Sequence, residues 1–372
     1  MGVKGWLARQ AVVGAHALVV ESPGAWLTRV AVEQALVRRG WRAAASAADA
    51  DVLVVCGQPG ARLAGAIDHV WDQLPGPRAR TGVAAAADAD AALDQVRSVL
   101  LDDRGQRGDA AARAVAPAGA ESAPERDDGD DGGHHGGDHG EMGMSGPGGI
   151  PLASGASARD GLGMDVVHLP LGPVLPYWPP GLVLWTTMQG DVAAEVEVEL
   201  LDAEDAPLPD RERRSLRSAR RCDAAAAMLM LAGWDSAAVA ARRARDGLLT
   251  GASASESVSA VARLHARVAR SRVLRWSLRD LGRLDDEQVA EHLLPQHLRG
   301  DAHDRLLRLL TACLDQQHDE APTERDLDPS AVAAALPPLL TGLDLAAVRL
   351  VVASLVPFAA ARAAPVGGGP DA

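Results

Sequence analysis

The densest set of potential metal ligands in the chain lies between Asp127 and Met144. His134, His135, Asp138, His139, Glu141, Met142 and Met144 crowd this stretch, and imidazole with thioether suits nickel or copper. The same stretch is rich in Gly and Asp and has almost no large apolar residue. Such a composition cannot bury enough surface to offset its ordering entropy. A solvated tether with incidental histidines is therefore the preferred reading, and weak nickel or copper binding at His134, His135 and His139 is the alternative. No resident cofactor is expected. The three cysteines, Cys56, Cys222 and Cys313, are far apart. No CxxC pair exists, so neither a zinc site nor a sequence-local iron–sulfur ligand set is available. Scattered thiols fit a reducing cytoplasm. No Gly-rich phosphate loop follows either N-terminal strand, and nucleotide binding has no support. His292, His297, His303 and His318 share no ligand spacing and read as surface histidines.

A second group of residues is suited to recognition. Tyr177 and Trp178 sit in a Pro-rich turn that fixes their backbone, and rigid aromatic side chains are favoured interface anchors. The competing reading places Trp178 in the core. Arg263, Arg267 and Arg270, followed by Arg272, Arg275 and Arg279, line one face of an expected helix. That face is either solvated or pairs with an acidic partner, and a membrane headgroup contact ranks below both. The net charge of −13 argues against a nucleic-acid protein as a whole. No segment has the roughly 18 consecutive apolar residues of a membrane span.

The elements that must position these groups are legible. Lys4 and Arg9 precede an apolar run at 11–20, but His16 interrupts it and Glu21 ends it, so it reads as a first strand. A helix at 25–39 follows, with Gly40 at its C′ position. Asp51–Cys56 is apolar on both faces, as an interior parallel strand must be. Helices are expected at 61–74 and 88–101, with a strand near 80–84 between them. Strands alternating with helices give an α/β unit over 1–103. Residues 104–150 form a disordered linker. From 151 to 365 the chain reads as α+β, a β-hairpin followed by a helical bundle. Leu182–Met188 and Val192–Leu201 are the hairpin strands, joined at Gly190 and Asp191. Helices are expected at 211–231, from a cap at Asp235 to 249, at 258–281 as one long element, from 285 to just before Pro295, at 301–317, after a cap at Asp328, and at 345–355.

Several stretches carry a resemblance. Gly172, Pro173, Pro176, Gly181, Gly190, Asp191 and Val192 resemble the N-terminal hairpin of the large catalytic-core subunit of complex I and of nickel–iron hydrogenases. Ala50–Gly57 and Val70–Pro77 are similar to the small, cluster-carrying subunit, whose fold is flavodoxin-like. Arg220–Asp223 bears a fainter likeness to the large subunit's helices. The departures matter as much. Leu175 stands where the large subunit of complex I has its quinone-site His. The loop 21–26 has no Cys where the cluster ligands would lie, and the nickel-binding CxxC pairs are missing. The resemblance implies a fused, degenerate scaffold or accessory subunit of a membrane-associated redox complex, cytoplasmic or peripheral on the cytoplasmic face. Two alternatives remain. One is a metal-handling or maturation accessory working through the His/Met stretch. The other is an NADH–quinone-type redox enzyme with an unseen cofactor such as a flavin.

Overall fold

The structure is a computed structural model, and it describes residues 13–115, 166–201, 214–251, 254–314 and 329–355. The expected His134, His135 and His139 ligands lie outside the described residues.

In the N-terminal unit, β1 (His16–Glu21), α1 (Trp26–Arg39), β2 (Arg42–Ala43), β3 (Val52–Cys56), α2 (Ala61–Gln73), β4 (Ala79–Val83) and α3 (Ala89–Leu100) follow one another. The four strands are parallel, in the order β2-β1-β3-β4. All five residues of β3 are buried, as a central strand covered on both faces requires. One face packs Val52, Val54 and Cys56 against Leu36 of α1 and Leu93 and Val96 of α3. The other packs Leu53 and Val55 against Leu63 and Ile67 of α2. The α/β expectation therefore holds, with helices on both sides of the sheet. Helix α1 ends where Gly40 takes φ +73 and donates to Leu36 and Val37, the left-handed cap expected of that glycine.

One correction falls at the end of this unit. The expected linker begins at 104, yet α4 (Asp103–Val115) is helical. Polar contacts hold it. Arg78 lies 4.1 Å above the Trp71 ring and donates to both oxygens of Asp109, each at 3.2 Å. Gln106 exchanges hydrogen bonds with the Arg78 backbone, both at 2.9 Å. Apolar periodicity could not have found this helix.

The second unit opens with an antiparallel sheet, β5 (Val166–Leu171), β6 (Leu182–Gln189) and β7 (Val192–Leu200), in sequential order. The helices α5 (Arg214–Leu231), α6 (Asp235–Thr250), α7 (Ala254–Arg270), α8 (Arg272–Leu278), α9 (Asp286–Glu291), α10 (Ala302–Leu314), α11 (Pro329–Leu340) and α12 (Leu345–Leu355) complete it. The sheet packs on α9, α11 and α12 around Leu184, Val289, Leu336 and Val351. A second core joins α5, α6, α7, α8 and α10 around Leu229, Ala241, Leu264, Leu278 and Leu306. Residue 235 does not cap α6: the cap position is Trp234, with no side-chain bond. The long helix expected at 258–281 is broken, because the Ser271 hydroxyl accepts from Leu274 N–H and starts α8 afresh. Asp285 caps α9 reciprocally with Gln288.

The glycines of the hairpin motif serve packing. Gly172 has φ +90, and a Cβ there would lie 2.3 Å from Trp178 Nε1 and 2.4 Å from the Leu182 carbonyl. We expect Gly172→Ala to cost about 2–4 kcal/mol, from backbone strain plus steric overlap. A thermal melt reads this. An unshifted midpoint would show that the turn repacks freely.

Candidate functional site

In open α/β sheets a ligand binds beyond the carboxyl ends of the strands, where neighbouring strands connect in opposite directions. Here that place lies beyond Glu21 of β1 and Cys56 of β3. It is closed. A Cβ on Gly57 would meet Ala25 Cβ at 2.5 Å and Ser22 Cβ at 3.3 Å, so the loops after β1 and β3 touch. Ser22 is fully buried, and its backbone N–H donates to the Cys56 carbonyl at 2.9 Å.

Above these loops lies a largely buried ionic network contributed by both units. Arg29 of α1 donates through Nε to Glu21 at 2.5 Å. Its other nitrogens bond Glu33 and, across the interface, Asp223 of α5. Arg245 of α6 donates to Glu33 and to Asp223, both at 2.6 Å, and to Asp246 at 2.9 Å. Trp26 Nε1 donates to Asp223 at 2.9 Å, and Gln34 reaches Asp246 at 3.0 Å. Arg220 lies 4.5 Å above the Trp26 ring. Trp26, Val30 and Ala219 form an apolar patch at this junction, with Leu216, Leu248 and Leu249 packed against it. The two units thus pack together through an apolar patch and a charge lattice.

The sequence places these groups by helix periodicity. Arg29 and Glu33 are one turn apart on α1, so both face the same neighbour. Asp223 and Arg245 come from helices that pack side by side. Desolvation raises the Glu21 carboxyl, and Arg29 offsets this only in part. At Glu33 and Asp223 burial also acts upward, but the arginines outweigh it, so both carboxyls sit below their usual range. Burial alone would weaken Arg245, yet Glu33 and Asp223 hold its guanidinium firmly protonated.

Acid should therefore open this junction. Glu33 and Asp223 have depressed folded-state values, so their stabilisation is fully present above the ordinary carboxylate range and is lost as pH falls through the depressed values. Glu21 acts oppositely, since its charged form is disfavoured in the fold. Two groups oppose one, and the melting temperature should fall below about pH 4. Asp223→Asn should flatten that decline. An acid limb with the same slope in the variant would remove Asp223 from the cause.

The remaining candidates fall elsewhere. Burial is the main cause that pushes the Cys56 thiol up to about 12, which keeps it a protonated core group. Cys222 of α5 and Cys313 of α10 are buried with their sulfurs 3.9 Å apart. The contact with Cys313, then burial, raises the Cys222 thiol well above its ordinary value. We expect a thiol-specific reagent to label none of the three cysteines in the folded chain at neutral pH and all of them after denaturation. Fast labelling of a folded thiol would contradict this burial.

Trp178 is buried, 8% exposed, and donates to the Leu182 carbonyl at 2.7 Å. That is the core role, one of the two weighed for it. Tyr177 beside it is half-buried at φ 61, with Arg242 5.4 Å from its ring centre. Arg263, Arg267 and Arg270 are exposed on α7. Arg267 covers Trp234 at 4.8 Å and donates to Ser236 at 2.8 Å.

His303 departs from the surface reading, being 3% exposed. It shares a corner with Asp301 and Asp304, the ligand atoms of all three lying within 4.8 Å of one another. The two carboxylates are occupied as a helix cap. Asp301 accepts from the N–H of Asp304 at 2.9 Å and of Asp280 at 3.0 Å, and Asp304 accepts from Asp301 N–H at 3.3 Å. Burial and the Arg275 charge lower the His303 imidazole. The nearby cations Arg275 and Arg308 oppose a metal ion, so the arrangement fits capping better than ligation. A cavity of about 270 Å³ beside it is lined by Arg283, Asp285, Arg299, Asp304 and Arg308.

Sequence reasoning missed the network of Glu21, Arg29, Glu33, Asp223 and Arg245 entirely. The available signal was the pairing of opposite charges one turn apart on α1. No protein-family model, curated protein or solved structure matches the chain.

Proposed function

We propose that this chain is a non-catalytic scaffold subunit of a membrane-associated redox complex of the complex I or hydrogenase type, peripheral on the cytoplasmic face. The observation that carries the proposal is the closed crevice at the carboxyl ends of β1 and β3. In the small, cluster-carrying subunit that the N-terminal unit resembles, the cluster ligands follow the first strand. Here the corresponding loop carries Glu21 and Ser22, and an ion-pair network shared with the second unit covers it. Those residues fit a cluster or a flavin poorly: the loops after β1 and β3 touch, and the thiol at the end of β3, Cys56, is buried and held protonated. The strand order β2-β1-β3-β4 supports the flavodoxin-like reading of the first unit. The buried Trp178 and the left-handed Gly172, where a Cβ would overlap Trp178, support a structural role for the hairpin loop whose quinone-site position is Leu175.

Among the described residues no helix is long and apolar enough to cross a membrane. A tagged chain isolated from gently solubilised membranes tests the assignment. Subunits of a redox complex should accompany it in stoichiometric amount, and the chain itself should carry no iron–sulfide. A lone monodisperse chain, or one with stoichiometric iron and a cluster spectrum, would reject it. The metal-handling alternative rests on His134, His135 and His139. Titration with nickel and copper, repeated after replacing those histidines with Ala, tests it directly.

A further inference from the structure

We propose that the corner where α7 runs into α8 docks this protein onto an anionic lipid surface. From Ser257 to Arg279 the sequence has no acidic residue and holds Arg263, Arg267, Arg270, Arg272, Arg275 and Arg279, in a chain of net charge −13. All of these arginines are exposed. Arg279 pairs with Asp280. Among the described residues Arg263, Arg270, Arg272 and Arg275 pair with no carboxylate. A chain this acidic that keeps one stretch wholly basic has a local field opposite to its overall charge.

Two apolar side chains stand within this field. Val273 is 76% exposed and Trp276 is 80% exposed. They lie three residues apart on α8 and so share a face. Leu274 and Leu278 are the residues of α8 that turn into the core, and their burial forces Val273 and Trp276 outward. Every other described Trp is buried or half-buried, which sets Trp276 apart. Set among arginines that pair with no carboxylate, the exposed indole gives the basic field an apolar centre of the kind suited to a boundary between water and hydrocarbon.

The occupant that fits is lipid. Trp276 and Val273 project outward. A folded partner would need a pocket shaped to receive them, whereas the boundary between headgroups and acyl chains accepts an indole without matched shape. Anionic headgroups complement the flanking arginines, each of which strengthens attachment to a charged leaflet. The contact deepens the peripheral placement proposed above and rests on it for its biological setting. It is measured on the purified chain alone, so its failure is distinguishable from failure of the scaffold assignment.

The test is sedimentation of the purified full-length chain with vesicles of phosphatidylglycerol and, separately, of phosphatidylcholine. Binding to phosphatidylglycerol should be at least about tenfold tighter at low salt and should weaken as salt is raised. Trp276→Ser should reduce it several-fold. Arg272→Glu with Arg275→Glu should abolish it. Neither variant should shift the melting temperature, because the altered side chains are in water. Equal affinity for both vesicle types, or full binding by Trp276→Ser, would overturn the proposal. So would binding to a polyglutamate matrix without binding to phosphatidylglycerol, which would assign the surface to an acidic protein partner.

Discussion

Replacing Asp223 with Ala is expected to lower the stability of the folded chain by about 3–5 kcal/mol, the usual cost of removing one partner from a buried ion pair. The size follows from what is left behind. Asp223 is 16% exposed at its side chain and accepts from Arg29, Arg245 and Trp26. Without it, Arg29 keeps Glu21 and Glu33, and Arg245 keeps Glu33 and Asp246. Two guanidiniums then face a carboxylate-sized hole, and the Trp26 indole N–H has lost its acceptor. Asp223→Asn keeps the shape and one acceptor oxygen, so its cost should be smaller. Chemical denaturation of the three proteins side by side measures this. A loss below about 1 kcal/mol for Asp223→Ala would mean that the junction behaves as a solvated surface pair.

Trp178→Ala should be comparably damaging, at about 3–5 kcal/mol. The indole fills the core between the hairpin sheet and the C-terminal helices, its N–H is bonded to Leu182, and Gly172 exists in its conformation to accommodate it. Tyr177→Ala should cost much less, because Tyr177 is half-buried and its ring centre lies 5.4 Å from Arg242. Melting curves of the two single variants separate the roles of these neighbours. If Trp178→Ala melted normally yet lost its partners in a pull-down, the side chain would be an interface anchor after all.

The difference between legible and hidden features has a physical basis. Strand β3 was readable because five consecutive apolar residues bounded by Asp51 and Gly57 admit few other fates. The hairpin was readable from its alternation and from Gly190–Asp191. The core face of α7 and α8 was readable too. Of Val261, Leu264, Val268, Leu274, Leu278 and Leu281, which carry the helical period over 258–281, all but the half-buried Leu281 are buried. Val273 and Trp276 fall outside that period and are exposed, so the sequence already held the signal for the outward-facing indole. Helix α4 was hidden because hydrogen bonds from Arg78 and Gln106 hold it. The junction was hidden because its partners are distant in sequence. Arg29 and Asp223 are 194 residues apart, and Glu33 and Arg245 are 212 apart. Charges on amphipathic helices read as solvated until the neighbouring helix is known.

The second unit covers the loops that close the first unit's crevice, and the two fold as one body. Calorimetry of a chain cleaved at a protease site introduced within residues 116–150 tests this most directly. The account predicts that both fragments stay associated and melt in a single cooperative transition, which Asp223→Ala moves to lower temperature as a whole. Two separate transitions, with Asp223→Ala affecting only one of them, would contradict it.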